Sequence, residues 1–539
     1  MQENLGTILE AIADVRGHRV AVIQGTRTRT WAELDRRASR LAGHLASAGA
    51  GHGTRIGIAL YNSIEYLESL LAAFKLRAVP VNVNYRYRRD ELRHLFSDAG
   101  LRVLIYDGRL EEQFAEAVTA TPGLATLVRV AHEPVAAPAL PAAGYPEALA
   151  GPPLPREPRG DDEWLMYTGG TTGVPKGVLT RHSWLYRVVS ANGFGLVGQP
   201  VPADLAELRA AIGATVAGPP PLVTLPAPPL MHATGMYTCL GALVAGGRVV
   251  FLTSRSFDPD ELAATIGQQQ VDTVSIVGDA FARPLAAALE RAAAAGHPYD
   301  LSSLRRILSV GVTWSADVKR RLLAHADVLL RDAIAASEGG PFAVCETRRG
   351  DEVVTSRFVL APGARVIDEQ GRDVPPGSGQ VGMLAAPAVG EIGYQGDPAA
   401  TARTFRMIGG QRWAVPGDLA SVAADGSLTF HGRGSRVINT GGEKVFAEEV
   451  ENAVLSHPAV RDAMVVGVPD ERWGTRIAVI AALQPGARLD LAGLREHVGS
   501  QLAGYKRPKD LIIQPELRRT PAGKADLGWA QQVARESCR

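Results

Sequence analysis

Tyr167-Thr168-Gly169-Gly170-Thr171-Thr172-Gly173-Val174-Pro175-Lys176-Gly177 is the most informative stretch of this sequence, and it follows a strand-like run at 163–166. Its glycines let backbone N–H groups approach an anion closely, its threonines add hydroxyl donors, and Lys176 adds a positive charge. A triphosphate requires such surroundings, although no Gly-Lys-Ser/Thr closes the stretch as in a Walker A loop. The alternative interpretation is a plain turn rich in Gly and Thr.

The residues before this loop alternate between helical and strand-like patterns. Thr30-Trp31-Ala32-Glu33 is typical of a capping box and predicts a helix that ends before Gly49. Strands are expected at 55–60 and 79–83, with a helix at about 64–76 between them. This alternation predicts an α/β fold in which helices cover parallel-rich sheets. Loops are expected in two segments rich in Pro, Ala and Gly, 132–160 and 197–229.

The second half of the chain changes pattern twice. Short alternating strands separated by turns are expected from about 355 to 432, which is typical of a barrel-like part. A smaller α+β unit follows, and we place the domain boundary at Ser435-Arg436, so that 1–435 forms the large unit and 436–539 the small one. The elements expected in the small unit are a helix at 447–456, strands at 461–468 and 476–483, a helix at 491–502 and a strand at 510–514.

The composition is that of an ordinary globular protein with more than one domain. The 539 residues are 46% hydrophobic, and 57 Lys and Arg balance 56 Asp and Glu to a net charge of +1. This balance gives no electrostatic reason to expect a nucleic acid or an acidic membrane surface as partner. The scattered Cys239, Cys345 and Cys538 argue against a disulfide framework or a zinc site and fit a reducing cytoplasm. No signal peptide or membrane-spanning helix is expected.

Residues 167–177 resemble the phosphate loop of the adenylate-forming superfamily, which contains acyl- and aryl-CoA synthetases, nonribosomal adenylation domains and luciferases. The combination of Met-His-x-Thr-Gly (231–235), Val-Gly-Asp-Ala-Phe-Ala-Arg (277–283) and Asn-Thr-Gly-Gly-Glu-Lys (439–444) most resembles bacterial fatty-acyl-CoA synthetases. Further motifs follow in the superfamily's order across nearly the whole chain. These motifs are Pro229-Leu230-Met231-His232-Ala233-Thr234-Gly235, Gly311-Val312-Thr313-Trp314-Ser315, Ala336-Ser337-Glu338, Pro416-Gly417-Asp418, Gly432-Arg433, Gly441-Gly442-Glu443-Lys444 and Pro521-Ala522-Gly523-Lys524.

The resemblance implies a role for each matching residue. Catalytic roles fall to Lys524, Thr171, Glu338 and His232, and Glu338 is the predicted Mg²⁺ ligand, since hard oxygen ligands suit that ion. His232 is expected to gate the acid pocket, because an acid already ionised at neutral pH needs no general base. Binding of ATP and coenzyme A is expected to involve Thr168, Gly169, Gly170, Thr172, Gly173, Lys176, Gly311, Val312, Thr313, Ala336, Ser337, Asp418, Arg433, Gly441, Gly442 and Lys444.

The chemistry of three of these side chains supports the resemblance independently. Asp418 can accept hydrogen bonds from both ribose hydroxyls, and Arg433 can donate to ribose or phosphate. Lys524 can place a positive charge beside the carboxylate and the α-phosphate as negative charge develops there. Viewed singly, each of these residues has an ordinary alternative as a turn aspartate or a surface cation.

The expected activity is the ATP-dependent conversion of a carboxylic acid to its acyl-AMP, followed by transfer to the thiol of coenzyme A. The resemblance also implies rotation of the small unit about a hinge near Ser435-Arg436 between the two half-reactions, and a homodimer. Two alternatives stay open: an adenylating enzyme with another acceptor or oxyanion (a carrier protein, an amine, or nitrite for diazotisation of an aryl amine), and a non-catalytic nucleotide-binding protein.

The sequence departs from the superfamily pattern at two places. Ile334-Ala335 stands where an aromatic residue and Gly are usual, so the flat ring expected against adenine is replaced by an aliphatic side chain. Arg436 replaces the usual hinge acid. Neither change touches the phosphate loop, Glu338, Asp418 or Lys524. We therefore expect adenylation to be intact and the second step to be the more affected.

Overall fold

The computed structural model of the chain describes residues 4–87, 89–131, 139–168, 175–311, 314–354, 357–433, 436–440, 443–470, 474–502, 504–519 and 525–538, and it describes only the backbone of residues 433, 439, 443, 444 and 474. None of the helices in these ranges has the length and apolar character needed to span a bilayer.

The first part of the chain alternates helices and strands as its sequence predicts. The capping box is present, because the Thr30 hydroxyl accepts from the Glu33 N–H at 3.2 Å while Glu33 accepts from the Thr30 N–H at 2.8 Å. The elements are α1 (Leu5–Arg16), β1 (Val20–Gln24), β2 (Arg27–Thr30), α2 (Trp31–Ser47), β3 (Arg55–Ala59), α3 (Ile64–Lys75), β4 (Val79–Asn82), α4 (Arg89–Asp98), β5 (Val103–Asp107), α5 (Glu111–Thr119), β6 (Thr126–Val130), β7 (Ala143–Gly144), α6 (Tyr145–Ala148) and β8 (Glu163–Thr168).

The middle part repeats the alternation. Its elements are β9 (Lys176–Arg181), α7 (His182–Leu196), α8 (Leu205–Ala214), β10 (Val223–Pro226), α9 (Ala233–Val244), β11 (Arg248–Phe251), α10 (Pro259–Gln269), β12 (Thr273–Ile276), α11 (Gly278–Ala294), β13 (Arg306–Val310), α12 (Ala316–His325), β14 (Leu329–Ala336) and β15 (Gly339–Thr347). The predicted loop at 197–229 is therefore wrong in part, because it contains α8 and β10. Asp204 caps α8 through the N–H groups of Ala206 and Glu207, and Leu208 and Ile212 are buried in the core.

Short strands dominate the next part, as predicted. The strands are β16 (Arg357–Leu360), β17 (Arg365–Ile367), β18 (Val381–Pro387), β19 (Ile392–Tyr394), β20 (Phe405–Ile408), β21 (Gln411–Ala414), β22 (Asp418–Val422) and β23 (Leu428–Arg433). A short helix, α13 (Pro398–Thr404), lies between β19 and β20.

Two large sheets organise residues 5–433. The first has fifteen strands in the order β2-β1-β11-β10-β12-β13-β14-β15-β16-β23-β22-β18-β21-β20, with β17 beside β18. The second has eight strands in the order β19-β9-β8-β4-β3-β5-β6-β7. The pairs from β1 through β14 in the first sheet and from β8 to β7 in the second are parallel. The predicted α/β class is confirmed.

One hydrophobic core joins the two sheets. It contains Ile56 and Ile58 from the second sheet, Val249 and Phe251 from the first, and apolar residues from α1, α2, α3, α7 and α9. The shared core fixes the distance between the sheets, because an apolar interior packs at crystal-like density.

The elements after Arg436 form small sheets of their own. They are β24 (Val437–Thr440), β25 (Glu443–Phe446), α14 (Ala447–Leu455), β26 (Val460–Asp470), β27 (Gly474–Leu483), α15 (Leu491–Gly499), β28 (Asp510–Ile513) and α16 (Leu527–Ser537). Strands β24 and β25 pair with each other, and β26, β27 and β28 form a three-stranded sheet between two further cores. The five predicted elements of this unit are present, whereas β24, β25 and α16 were missed.

Arg436 lies immediately before β24 and pairs with two acids of the helix that follows β25. Its guanidinium lies 2.7 Å from Glu448 Oε1 and 2.5 Å from Glu451 Oε1, and all three side chains are largely buried. Glu451 also accepts from the Val465 N–H at 2.8 Å. Burial is the main cause that raises the pKa of Glu448 to about 7. The residue that replaces the expected hinge acid thus pairs with two acids on α14.

Helices α7 and α9 cross at two glycines beside the large cleft described below. A Cβ atom built on Gly193 would lie only 2.0 Å from the Gly241 carbonyl oxygen, whereas one on Gly195 would meet no atom within 4 Å. The close approach of the two backbones therefore depends on the missing side chain at position 193.

We expect Gly193→Ala to destabilise the protein by about 1–3 kcal/mol, because α7 and α9 must move apart. Gly195→Ala, on the same helix, is the matched control and should be neutral or slightly stabilising. Urea unfolding followed by circular dichroism measures both. Equal midpoints for the two variants would show that the crossing is not tightly constrained.

We expect Arg436→Ala to loosen α14, because it leaves Glu448 and Glu451 buried without their cation, at a cost of about 3 kcal/mol or more. Hydrogen exchange of the amides at 447–455 should accelerate roughly a hundredfold. Exposed Arg535 on α16 provides the control variant, Arg535→Ala. Unchanged exchange at 447–455 in Arg436→Ala would refute the stabilising role of the pairing.

Candidate active site

A cleft of about 2230 Å³ opens where the carboxyl ends of strands from both sheets converge. Thr168 at the end of β8, Gly311 after β13 and Ala336 at the end of β14 lie on its wall. The cleft also reaches Arg436 and Glu448 at the junction. Crevices at this edge of α/β sheets are where ligands bind, because loops from several strands meet there.

The cleft brings together the predicted site residues that have described side chains, apart from Lys176, which stands at its edge. Those on the wall are Thr168, His232, Gly311, Ala336, Ser337, Glu338 and Asp418. They come from five separate parts of the sequence, and their convergence is a property of the fold. Their catalytic and binding roles stay predictions.

Several predicted residues lie outside the described part of the chain. They are Gly169, Gly170, Thr171, Thr172, Gly173, Val312, Thr313, Gly441, Gly442 and Lys524. Only the backbone is described for Arg433 and Lys444. The strand register nevertheless pairs Arg433 on β23 directly with Asp418 on β22, so the two residues are neighbours across the sheet.

Glu338 lies in the turn between β14 and β15 and is 8% exposed. The Tyr394 hydroxyl donates to its Oε1 at 2.5 Å. A carboxylate supplies the hard oxygen that Mg²⁺ prefers, and Mg²⁺ usually keeps waters and substrate phosphates as its other ligands. No cluster of three or more His, Cys, Asp or Glu side chains arranged for a metal occurs among the described residues. As a single carboxylate on the cleft wall, Glu338 fits a magnesium ion that brings its other ligands with a nucleotide.

Lys176 begins β9 immediately beyond the Gly-rich loop. Its ammonium lies 3.4 Å from Asp397 Oδ2 and 5.6 Å from the centre of the Tyr394 ring. Asp397 caps α13 by accepting from the Ala400 N–H, and this hydrogen bond is the main cause that lowers the pKa of Asp397, with Lys176 adding to it. The loop's cation is thus held at the edge of the cleft.

Asp418 begins β22 and is 5% exposed. Gly417 precedes it with a φ of +94°, a left-handed conformation that favours glycine, and this turns the chain into the strand. A carboxylate that is buried yet open to the cleft suits recognition of a ribose diol, because it can accept two hydrogen bonds.

Strand β14 presents a second acid that the sequence analysis missed. Asp332, Ile334 and Ala336 alternate along the strand and all line the cleft. Asp332 is buried, its carboxylate lies 3.5 Å from the Lys319 ammonium, and burial raises its pKa to about 7. No motif in the sequence marked it, and residues from both faces of β14, from Arg331 to Ala336, line the cleft. Ile334 packs with the core beneath this wall and gives it an aliphatic surface.

An apolar arm of the cleft runs between α7 and α9. Trp184, Val188 and Tyr237 line it. Trp314 and Met236 do not line this arm, because both are fully buried in the cores. Met236 is turned away from the cleft because the face of α9 that points to the cleft carries Tyr237 and Thr238, one and two residues after Met236. Burial strongly raises the pKa of the Tyr237 phenol, so this wall stays uncharged.

Comparison with known proteins agrees with this geometry. The family of AMP-binding enzymes matches residues 9–388, and the C-terminal domain of AMP-binding enzymes matches residues 449–524. A 3-oxocholest-4-en-26-oate–CoA ligase from Rhodococcus rhodochrous is 38% identical over 98% of this chain and 96% of its own length. A medium/long-chain-fatty-acid–CoA/3-oxocholest-4-en-26-oate–CoA ligase from Mycolicibacterium smegmatis is 37% identical over 99% and 97%.

A solved structure shares the fold over the whole chain. The anthranilate CoA ligase AuaEII, determined in complex with anthranoyl-AMP, superposes with a TM-score of 0.83 at 22% identity and covers 100% of this chain and 98% of its own. The adenylate-forming resemblance seen in the sequence is confirmed. The chain belongs to the family of AMP-binding enzymes.

Proposed function

We propose that this protein is an ATP-dependent acyl-CoA ligase that activates a carboxylic acid as its acyl-AMP and transfers the acyl group to coenzyme A. The observation that carries the proposal is the convergence of Thr168, Glu338 and Asp418 on one cleft with an apolar arm. Near-full-length similarity to named CoA ligases supports the thiol acceptor.

In the first half-reaction a carboxylate oxygen of the substrate attacks the α-phosphorus of ATP, and pyrophosphate leaves. Residues 169–173, with Thr168 and Lys176 beside them, hold the phosphates through backbone N–H groups, hydroxyls and one ammonium. Asp418 and Arg433 orient the ribose. Magnesium, when bound through Glu338, would supply positive charge to the phosphates. Lys524 stabilises charge that develops between the carboxylate and the α-phosphate.

In the second half-reaction the thiolate sulfur of coenzyme A attacks the acyl carbon, and AMP leaves with the electron pair of the broken C–O bond. We infer that 1–435 and 436–539 act as separate units, since Lys524 serves the first step and Gly441 and Gly442 can line a thiol channel for the second. One orientation of the small unit does not easily present both sets, so rotation near Ser435-Arg436 separates the steps.

The acid is proposed to be an apolar monocarboxylic acid. Trp184, Val188 and Tyr237 give the arm between α7 and α9 an apolar surface, while the charged Arg187, which also lines the cleft, is exposed. The two relatives act, by their names, on a sterol-derived acid and on medium- and long-chain fatty acids. Cys239 and Cys345 are buried free thiols, which fits our proposal of a cytoplasmic location, and a homodimer is proposed from the family resemblance.

A panel of carboxylic acids tests the function. Purified protein is given ATP and Mg²⁺ with fatty, sterol-derived and aryl acids, and pyrophosphate release is measured with and without coenzyme A. Thioester formation that saturates with coenzyme A supports the proposal. Pyrophosphate release without a thioester would assign a different acceptor, and no release with any acid would reject adenylation.

We expect Lys524→Ala to reduce acyl-AMP formation by a factor of about 100 or more while ATP still binds, because only the charge that meets the developing negative charge is lost. Acid-dependent ATP–pyrophosphate exchange measures this step, and calorimetry measures ATP binding. Lys509→Ala, which removes an exposed cation from the same unit, is the control and should leave exchange unchanged. Exchange in Lys524→Ala at the unmodified protein's rate would refute the role.

A further inference from the structure

Tyr394 joins the two sheets at the cleft. It lies on β19, at the edge of the eight-stranded sheet, while its hydroxyl donates to Glu338 in the fifteen-stranded sheet. The two residues are separated by 56 positions in the sequence, and no motif linked them. Tyr394 is partly buried at the rim of the shared core, so its ring packs against protein while its hydroxyl reaches the cleft wall.

The backbone of Tyr394 is fixed by the strand that follows the Gly-rich loop. Tyr394 pairs with Val178 across β19 and β9, and the next residue, Gln395, donates its N–H to the Gly177 carbonyl at 2.8 Å. The Tyr394 N–H donates to the Thr401 hydroxyl at 2.9 Å. A shift of β9 would therefore carry the Tyr394 ring with it.

The Tyr394 ring also lies beneath the cation of the loop. The Lys176 ammonium is 5.6 Å from the ring centre, which is within the range of a cation–π contact. The Tyr394 ring also packs against the Phe405 ring, with ring centres 6.3 Å apart. One side chain thus contacts both Lys176 and Glu338, the two charged groups that our proposed function assigns to the phosphates and their metal ion.

We propose that Tyr394 is a positioning residue that orients the Glu338 carboxylate for a nucleotide-bound divalent cation. The Tyr394 hydroxyl donates to Oε1 of Glu338, so Oε2 is the oxygen that we assign to the cation. The hydrogen bond restricts the rotation of the Glu338 carboxylate, so less ordering is required when Mg²⁺ arrives with ATP. This inference rests on the proposed function and adds a residue that acts through Glu338.

The Tyr394→Phe variant tests the proposal, because it removes the hydroxyl and keeps the ring that packs on Phe405 and Lys176. Binding of Mn²⁺ in the presence of a non-hydrolysable ATP analogue is measured by the electron paramagnetic resonance signal of free Mn²⁺, normalised to nucleotide-binding sites. We expect Tyr394→Phe to raise the Mn²⁺ dissociation constant about tenfold. Binding of the ATP analogue measured without a divalent cation should not change.

Tyr299→Phe is the matched control, since the Tyr299 hydroxyl donates to the Asp260 carboxylate at 2.9 Å away from the cleft. It should bind Mn²⁺ as the unmodified protein does. Glu338→Gln should weaken Mn²⁺ binding at least as much as Tyr394→Phe, and combining the two changes should add nothing further, because Tyr394 acts only through Glu338.

Unchanged Mn²⁺ affinity in Tyr394→Phe would overturn the proposal, and so would additive effects in the double variant. The experiment does not need an identified acid, so it is separable from the test of the proposed function. A protein that never releases pyrophosphate would reject the enzyme assignment, while the Mn²⁺ titration would still decide the role of Tyr394.

Discussion

Everything at the cleft depends on the apolar core that two β-sheets share. Residues such as Ile58 on one sheet and Phe251 on the other are buried in the same cluster, together with helices that pack on both. Such an interior resists small displacements, since each atom that moves loses contacts on one side. The strand ends are therefore rigid supports, and loops attached to them can hold side chains at fixed separations.

Because the strand ends are rigid, they hold buried acidic side chains at fixed positions around the cleft. Glu338, Asp332 and Asp418 are all largely buried, yet they face one space. Burial penalises a charged carboxylate, which is why the pKa of Asp332 is raised and why Glu338 is held by the Tyr394 hydroxyl. A polar wall of this kind, prepared before the nucleotide binds, needs little reorganisation during the reaction.

The two departures from the family pattern affect different properties. Ile334 keeps the wall of β14 apolar and lets it pack on the core, so the change from an aromatic residue alters the surface offered to a purine and leaves the strand intact. Arg436 instead changes the junction, where its pairing with Glu448 and Glu451 fixes α14 close to the end of β23. A rotation of the small unit would carry Arg436, Glu448 and Glu451 together, so these buried contacts would stay within the unit, and a hinge acid could not make them.

The sequence by itself determined the α/β class, the helix that begins with the Thr30 capping box, the strands around residue 167 and the family, because these depend on local patterns and on motifs of consecutive residues. It also named Glu338 and Asp418, since each lies in a short recognisable motif. The helix at 205–214 was missed because Pro-rich stretches flank it at 200–202 and 219–221. Its own residues are mostly good helix formers, and Leu208 and Ile212 pack on the core.

Only the tertiary structure decided which residues share the cleft. Tyr394 meets Glu338 across two sheets, and Arg436 pairs with acids on another element, although nothing in the sequence near either residue indicates a partner. The choice of Tyr237 over Met236 as a cleft residue depends on the rotation of one helix about its axis. Contacts between distant segments and the orientation of helical faces arise from packing, and packing is a property of the folded chain as a whole.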